Sequence, residues 1–121
     1  MRRLAVLPLL CLLWPLPAHA ESWTRAVPAE LKGEWASSLE GCADRDARRL
    51  QFFDAGFRWV RNRENRGLNR GLFQKESGAI LFRSTDEKDD QPDWRLRVAG
   101  ATLVRERWGL TYSEFYVRCP E

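Results

Sequence analysis

Beyond residue 33 the chain alternates apolar and polar residues in short runs separated by glycine, proline and acidic clusters, the pattern of half-buried strands. Trp94-Arg95-Leu96-Arg97-Val98 is the cleanest case, with apolar side chains to one face and arginines to the other. Phe57-Arg58-Trp59-Val60-Arg61 alternates likewise and continues towards Glu64. Glu34 to Ser38, Arg49 to Phe53, Leu72 to Glu76, Ala79 to Thr85, Ala101 to Trp108 and Leu110 to Cys119 complete a set of eight predicted strands. Turns are predicted at Asp54-Ala55-Gly56, Ser77-Gly78, Ala99-Gly100 and Gly109, a glycine-punctuated loop at Arg66 to Gly71, and a polar connection at Leu39 to Arg48. Ahead of the strands, Pro28 suits the first position of one helical turn, Glu30 its acidic start, and Gly33 its stop. No second helix is predicted.

Short connections make sequence neighbours antiparallel, so the simplest topology is an up-and-down meander. An open sheet of this kind leaves two edges and a whole apolar face in water, and closure into a barrel removes both. The expected fold is therefore all-β, a small eight-stranded antiparallel up-and-down barrel preceded by one short helical turn. Alternation places Trp35, Phe57, Trp59, Trp94, Leu96, Val98, Phe115 and Val117 inside, with Leu50 or Phe52 and Ile80 or Phe82 beside them. Cys119 then falls inside or at the rim, and closure brings the last strand next to the first, where it can reach Cys42.

The first twenty residues stand apart from this pattern. Met1-Arg2-Arg3 precedes an apolar run from Leu4 to Trp14, Pro15 and Pro17 break it, and Ala18-His19-Ala20 ends it in small residues. This predicts a signal peptide over 1–20, cleaved after Ala20, an N-terminal extension over 21–27, and a single barrel domain over 28–121. A membrane anchor needs about 20 unbroken apolar residues, which this run lacks, and Leu10 ahead of Cys11 argues against a lipoprotein site. The expected location is the periplasm or the exterior, with no membrane span after cleavage.

Cleavage changes the chemistry on offer. Arg2 and Arg3 depart, so the 20 basic residues fall to 18 against 17 acidic, and the basic balance that nucleic acid requires is gone. His19, the only histidine, departs as well. Serine or cysteine nucleophiles usually need an imidazole base, and zinc favours His and Cys ligands. Cys42 and Cys119, the two cysteines left, read as one disulfide of an oxidising compartment. An enzyme is therefore not expected, nor a cofactor or metal. Only carboxylates remain as candidates. If Val104 and Trp108 face inward, period 2 turns Glu106 inward too, with a rim position or an outward bulge as the alternative. The acidic loop Asp86 to Asp93 lacks the spacing of a calcium loop and reads as solvated. Arg61, Arg63, Arg66 and Arg70, interleaved with asparagines, are candidate anion-binding residues for an acidic protein surface, a glycan or a lipid headgroup.

Gly33-Glu34-Trp35 after a short helical turn resembles the opening of the lipocalin-like, or calycin, barrels. That resemblance implies that Trp35 plugs one barrel end and stacks with an arginine from the last strands, here Arg105, Arg107 or Arg118. Ala29-Glu30-Leu31-Lys32-Gly33-Glu34-Trp35 is also similar to a segment of the periplasmic inhibitors of secreted bacterial metalloproteases. In that family the N-terminal extension enters the protease cleft; the matching residues are Glu21, Ser22, Trp23 and Thr24, and Arg25 beside them completes the candidate partner-binding set. The family's disulfide lies within the first half of its barrel, whereas Cys42 and Cys119 would tie the first strand to the C-terminus. The expected function is an exported binding or inhibitor module whose partner is a protein, an envelope or secreted hydrolase. The alternative is a carrier of a small apolar ligand, as lipocalins are, although a barrel this small fills with its own side chains.

Overall fold

A computed structural model describes residues 22–61, 64–65, 67–84 and 91–121 of the chain. The expected signal peptide, Glu21, Arg63, Arg66 and residues 86–90 of the acidic loop lie outside the described residues. A 3₁₀ turn at Ala29–Leu31 leads into strand β1 (Gly33–Ala36), and helix α1 (Leu39–Ala43) separates it from β2 (Arg49–Phe52). Strands β3 (Phe57–Arg61), β4 (Glu64–Asn65), β5 (Gly71–Glu76), β6 (Ala79–Ser84), β7 (Trp94–Ala99), β8 (Thr102–Arg107) and β9 (Ser113–Arg118) follow. Apart from the two-residue β4, these are the eight strands the alternation predicts. The five-residue α1 corrects the expected absence of a second helix. Ser38 supplies its start, its Oγ accepting a hydrogen bond from the Gly41 N–H at 3.1 Å.

All strands join one curled antiparallel sheet in the order β4-β3-β2-β1-β9-β8-β7-β6-β5. The first long strand lies beside the last, with Trp35 opposite Arg118 and Ala36 opposite Val117. The disulfide between Cys42 on α1 and Cys119 just past β9 fastens that junction, with an S–S distance of 2.05 Å. A ladder is missing instead between β3 and β5. There the edges meet through a single bridge, Phe57 with Asn69, whose two hydrogen bonds measure 3.0 and 2.7 Å. The approach is close enough to demand glycine at position 56, where a Cβ would lie 2.3 Å from the Asn69 carbonyl oxygen. Gly71 makes room within the β5–β6 pair instead, since a Cβ there would lie 2.5 Å from the Arg83 carbonyl oxygen and run into the Phe82 ring.

The N-terminal extension covers the outer edge of β5. Thr24 and Phe73 exchange two backbone hydrogen bonds of 2.9 and 2.7 Å, and the buried Val27 donates its N–H to the Asp54 carbonyl. Trp23 packs half-buried, with the Arg83 guanidinium 4.8 Å from its ring. The segment therefore folds back on the sheet rather than projecting from it.

Inside the curl, Trp35, Leu50, Phe52, Phe57, Phe73, Ile80, Phe82, Leu96, Leu103 and Tyr116 form a contiguous core, with Trp59, Trp94 and Val98 packed against it. Phe57 of β3 touches Phe82 of β6 at 5.1 Å and Trp94 of β7 at 4.7 Å between ring centroids, so side chains meet across the interior. Each fully buried Leu or Phe contributes about 1.5–3 kcal/mol. Both members of each undecided pair, Leu50 with Phe52 and Ile80 with Phe82, face in, as period 2 requires.

One strand is reversed relative to expectation. On β9, Phe115 is 64% exposed and Val117 only half-buried, while Tyr116 is buried. Because Arg118 and Tyr116 share a face, turning Arg118 in towards Trp35 turns Phe115 and Val117 out. The condition for an inward Glu106 fails in the same way. Leu103 and Arg105 are the buried residues of β8, which leaves Glu106 on the outer face with Val104.

Two substitutions test this frame by chemical denaturation. Gly56→Ala is expected to lower stability by about 1–3 kcal/mol through overpacking against the Asn69 backbone at the seam, and an unchanged midpoint would show that the edges do not meet there. Cys119→Ser is expected to cost up to roughly 4.5 kcal/mol, because the bond closes most of the folded chain into one loop.

Candidate functional site

Each end of the curled sheet is sealed by an arginine laid on tryptophan. At the end where β1 begins, the Arg118 guanidinium lies 4.2 Å from the Trp35 ring. It donates to the carbonyls of Lys32 at 2.7 Å and Glu30 at 2.6 Å. The Trp35 indole donates to the Leu31 carbonyl at 2.9 Å. The three carbonyls that the 3₁₀ turn leaves pointing outward are thus all paired with side chains. Gly33 adopts φ 122°, and a Cβ there would come within 3.2 Å of Arg118 Nη1, so glycine serves both the turn and the approach of the cation. Of the three arginines that the sequence nominates, Arg118 is the one on Trp35.

The opposite end is the candidate site. Arg105, 7% exposed, sits inside β8 with its guanidinium 4.7 Å from the Trp94 ring and 5.2 Å from that of Trp59. Its Nη2 pairs with Glu114 Oε2 at 2.6 Å, and strand register sets the two residues directly opposite. Tyr116 donates its hydroxyl to the same carboxylate oxygen, Tyr112 donates to Oε1 at 3.1 Å, and Arg48 Nη2 stands 3.7 Å away. Arg48 stacks on Trp59 from its own side at 4.1 Å. Two arginines and two tyrosine hydroxyls therefore converge on one carboxylate.

Burial pushes the Glu114 carboxyl up, but the hydrogen bonds from Tyr116 and Arg105, the Arg105 charge and the Tyr112 hydroxyl outweigh it and hold it below its ordinary value of 4.5. Burial, and then the bond to Glu114, push the Tyr116 hydroxyl above its ordinary 10.0. A carboxyl held low is no proton donor at neutral pH, so the cluster is equipped to hold charge in place rather than to transfer protons. Among the described residues no group of three or more His, Cys, Asp or Glu side chains converges.

The residues singled out from sequence are spread widely. Ser22, Thr24 and Arg25 are exposed along the β5 edge, with Trp23 half-buried between them. Arg61 ends β3, whereas Arg70 follows Asn69, which pairs with Phe57 at the start of that strand. Four residues of strand, about 13 Å, separate those levels, so Arg61 and Arg70 form no joint site. The sequence singles out neither Arg48 nor Glu114 nor Tyr116, and nominates Arg105 only for Trp35, because the four are brought together by the folded sheet and not by their spacing in the chain. The available hint was Glu114-Phe115-Tyr116, two residues of one face on either side of an apolar one.

No protein-family model, curated protein or solved structure matches the chain. Among the described residues no helix is long and apolar enough to cross a membrane, and the disulfide fits an oxidising compartment.

The depressed Glu114 makes stability depend on pH in a defined window. Its contribution is complete above the unfolded-state value near 4.5 and is lost as pH falls through the lower folded-state value. Glu114→Gln is expected to be less stable than the wild type at pH 7 yet to flatten this acid limb, measured as denaturation midpoints between about pH 6 and 2. An acid limb identical in both proteins would sink the assignment.

Proposed function

We propose that the protein is an exported binding module that acts on a protein partner, an envelope or secreted hydrolase, through the end of the sheet that carries the Arg105–Glu114 cluster. One observation carries this reading. Among the described residues seven large apolar side chains are exposed, and four of them, Trp108, Leu110, Tyr112 and Phe115, lie on the β8–β9 hairpin and the strand it leads into at that end. Three of the four stand in the connection Trp108-Gly109-Leu110-Thr111-Tyr112. Clustered apolar exposure rimmed by charge is the usual mark of a protein-binding surface. Arg95, 5.5 Å from the Trp108 ring, supplies such a rim.

The aromatic core favours this over the carrier of a small apolar ligand, since Phe57, Phe82 and Trp94 already touch across the interior. The extension, the inhibitory element of the resembling family, is tied to β5 through Thr24 and to Asp54 through Val27. Support therefore shifts from the extension to the hairpin.

The expected outcome for the double variant Trp108→Ser, Leu110→Ser is at least a tenfold weaker interaction with a partner captured from envelope extract and identified by mass spectrometry. Its melting temperature should stay close to the wild type, because both side chains are exposed. Undiminished binding by this variant, or loss of binding only when residues 21–23 are removed, would move the contact away from the hairpin.

A further inference from the structure

Strands β1 and β9 remain paired for only two residues, whereas β9 keeps its other neighbour, β8, from Ser113 to Val117. Where β1 leaves the sheet for α1, the upper part of β9 borders an open groove of about 430 Å³, with Ser37, Ala47 and Arg48 on its far wall. Along β9 the Arg118 N–H reaches the Ala101 carbonyl on the β8 side and the Cys119 N–H reaches Glu34 of β1. Peptide groups alternate in direction along an antiparallel strand. That of Phe115 therefore faces the groove, in the place a continued β1 would have filled.

The chemistry of the walls is specific. Arg48 is held flat on Trp59 while about half of its side chain, 52%, stays exposed. It stands only at the margin of the Glu114 carboxylate, whose short bonds go to Arg105 and Tyr116. Two guanidinium groups thus face one carboxylate, and the cluster keeps one positive charge on the groove side. Tyr112 and Phe115, both more than half exposed, give the same groove apolar surface.

We propose that this groove takes an extended segment of the protein partner that bears a carboxylate next to an apolar side chain. The segment's backbone pairs with the Phe115 peptide group in place of the departed β1. Its carboxylate pairs with Arg48, and its apolar side chain covers Tyr112 and Phe115. The inference rests on the protein-partner reading above and names the chemistry that reading leaves open. A C-terminal carboxylate and an internal glutamate share this chemistry.

Peptide titrations followed by amide and arginine Nε NMR signals of the full chain test it. The probes are N-acetyl-Ala-Ala-Phe as free acid, the same peptide as amide, and N-acetyl-Ala-Glu-Phe amide. Saturable shifts at Arg48, Tyr112, Phe115 and Tyr116 are expected with the free acid or the glutamate peptide, at least tenfold tighter than with the neutral amide. Whichever of the two binds identifies the source of the carboxylate. Arg48→Gln should weaken that binding at least tenfold while its spectrum shows the same fold, and Arg97→Gln, exposed on β7 away from the groove, should leave it unchanged. Equal binding of acid and amide, no saturable shift at roughly 10 mM of either acidic peptide, or indifference to Arg48→Gln each overturns the proposal. If the peptides fail while the Trp108→Ser, Leu110→Ser variant still loses its partner, the groove is refuted and the hairpin surface stands; if both fail, the protein-partner reading falls too.

Discussion

The stack of Arg118 on Trp35 is the contact from which most of the remaining structure follows. Burying a guanidinium is costly unless its N–H groups are paired. Here the carbonyls of Glu30 and Lys32 supply partners and the indole face supplies the rest of the environment. That arrangement positions the 3₁₀ turn under the sheet, sets Trp35 opposite Arg118, and so brings the first and last strands together. It also fixes the parity of β9. With Arg118 turned inward, Tyr116 and Glu114 must follow, and the carboxylate arrives opposite Arg105.

The two ends of the fold use the same device with different counter-groups. One guanidinium donates to neutral carbonyls; the other meets a carboxylate that accepts from several donors. At the second end that carboxylate is held below its ordinary value. Exposed apolar side chains are also distributed unequally, with four of the seven among the described residues lying between Trp108 and Phe115.

Much of this frame is legible in the residues. Trp94 to Val98 alternates so cleanly that its inward face was readable without a neighbour, and the pairing of Cys42 with Cys119 followed from their being the two cysteines left. The reversed β9 was not readable, because Phe115 and Val117 are more apolar than Glu114 and Arg118, and ordinary alternation would bury them. Only the partners of the two charged residues reverse that preference: Trp35 on β1 for Arg118 and Arg105 on β8 for Glu114. α1 was missed for a related reason: Leu39-Glu40-Gly41-Cys42-Ala43 has no apolar stripe, and it is held by the Ser38 cap and the disulfide rather than by intrinsic propensity. Gly56 reads as turn punctuation in the sequence, yet it also permits the close approach of the Asn69 backbone at the seam.

The position of the seam has a consequence for how the molecule is connected. In a simple up-and-down barrel the chain ends flank the gap that closes last. Here the ends are joined, by the β1–β9 ladder and by the Cys42–Cys119 bond, and the gap falls between β4 and β5 in mid-sequence. Topologically the oxidised domain is a ring whose natural opening is the stretch at residues 67–70. A backbone cut there would yield two segments, one with Cys42 and one with Cys119, that remain a single covalent molecule with every long ladder intact. The protein is in this sense already a circular permutant of a conventional meander, with a sulfur bridge standing in for the linker.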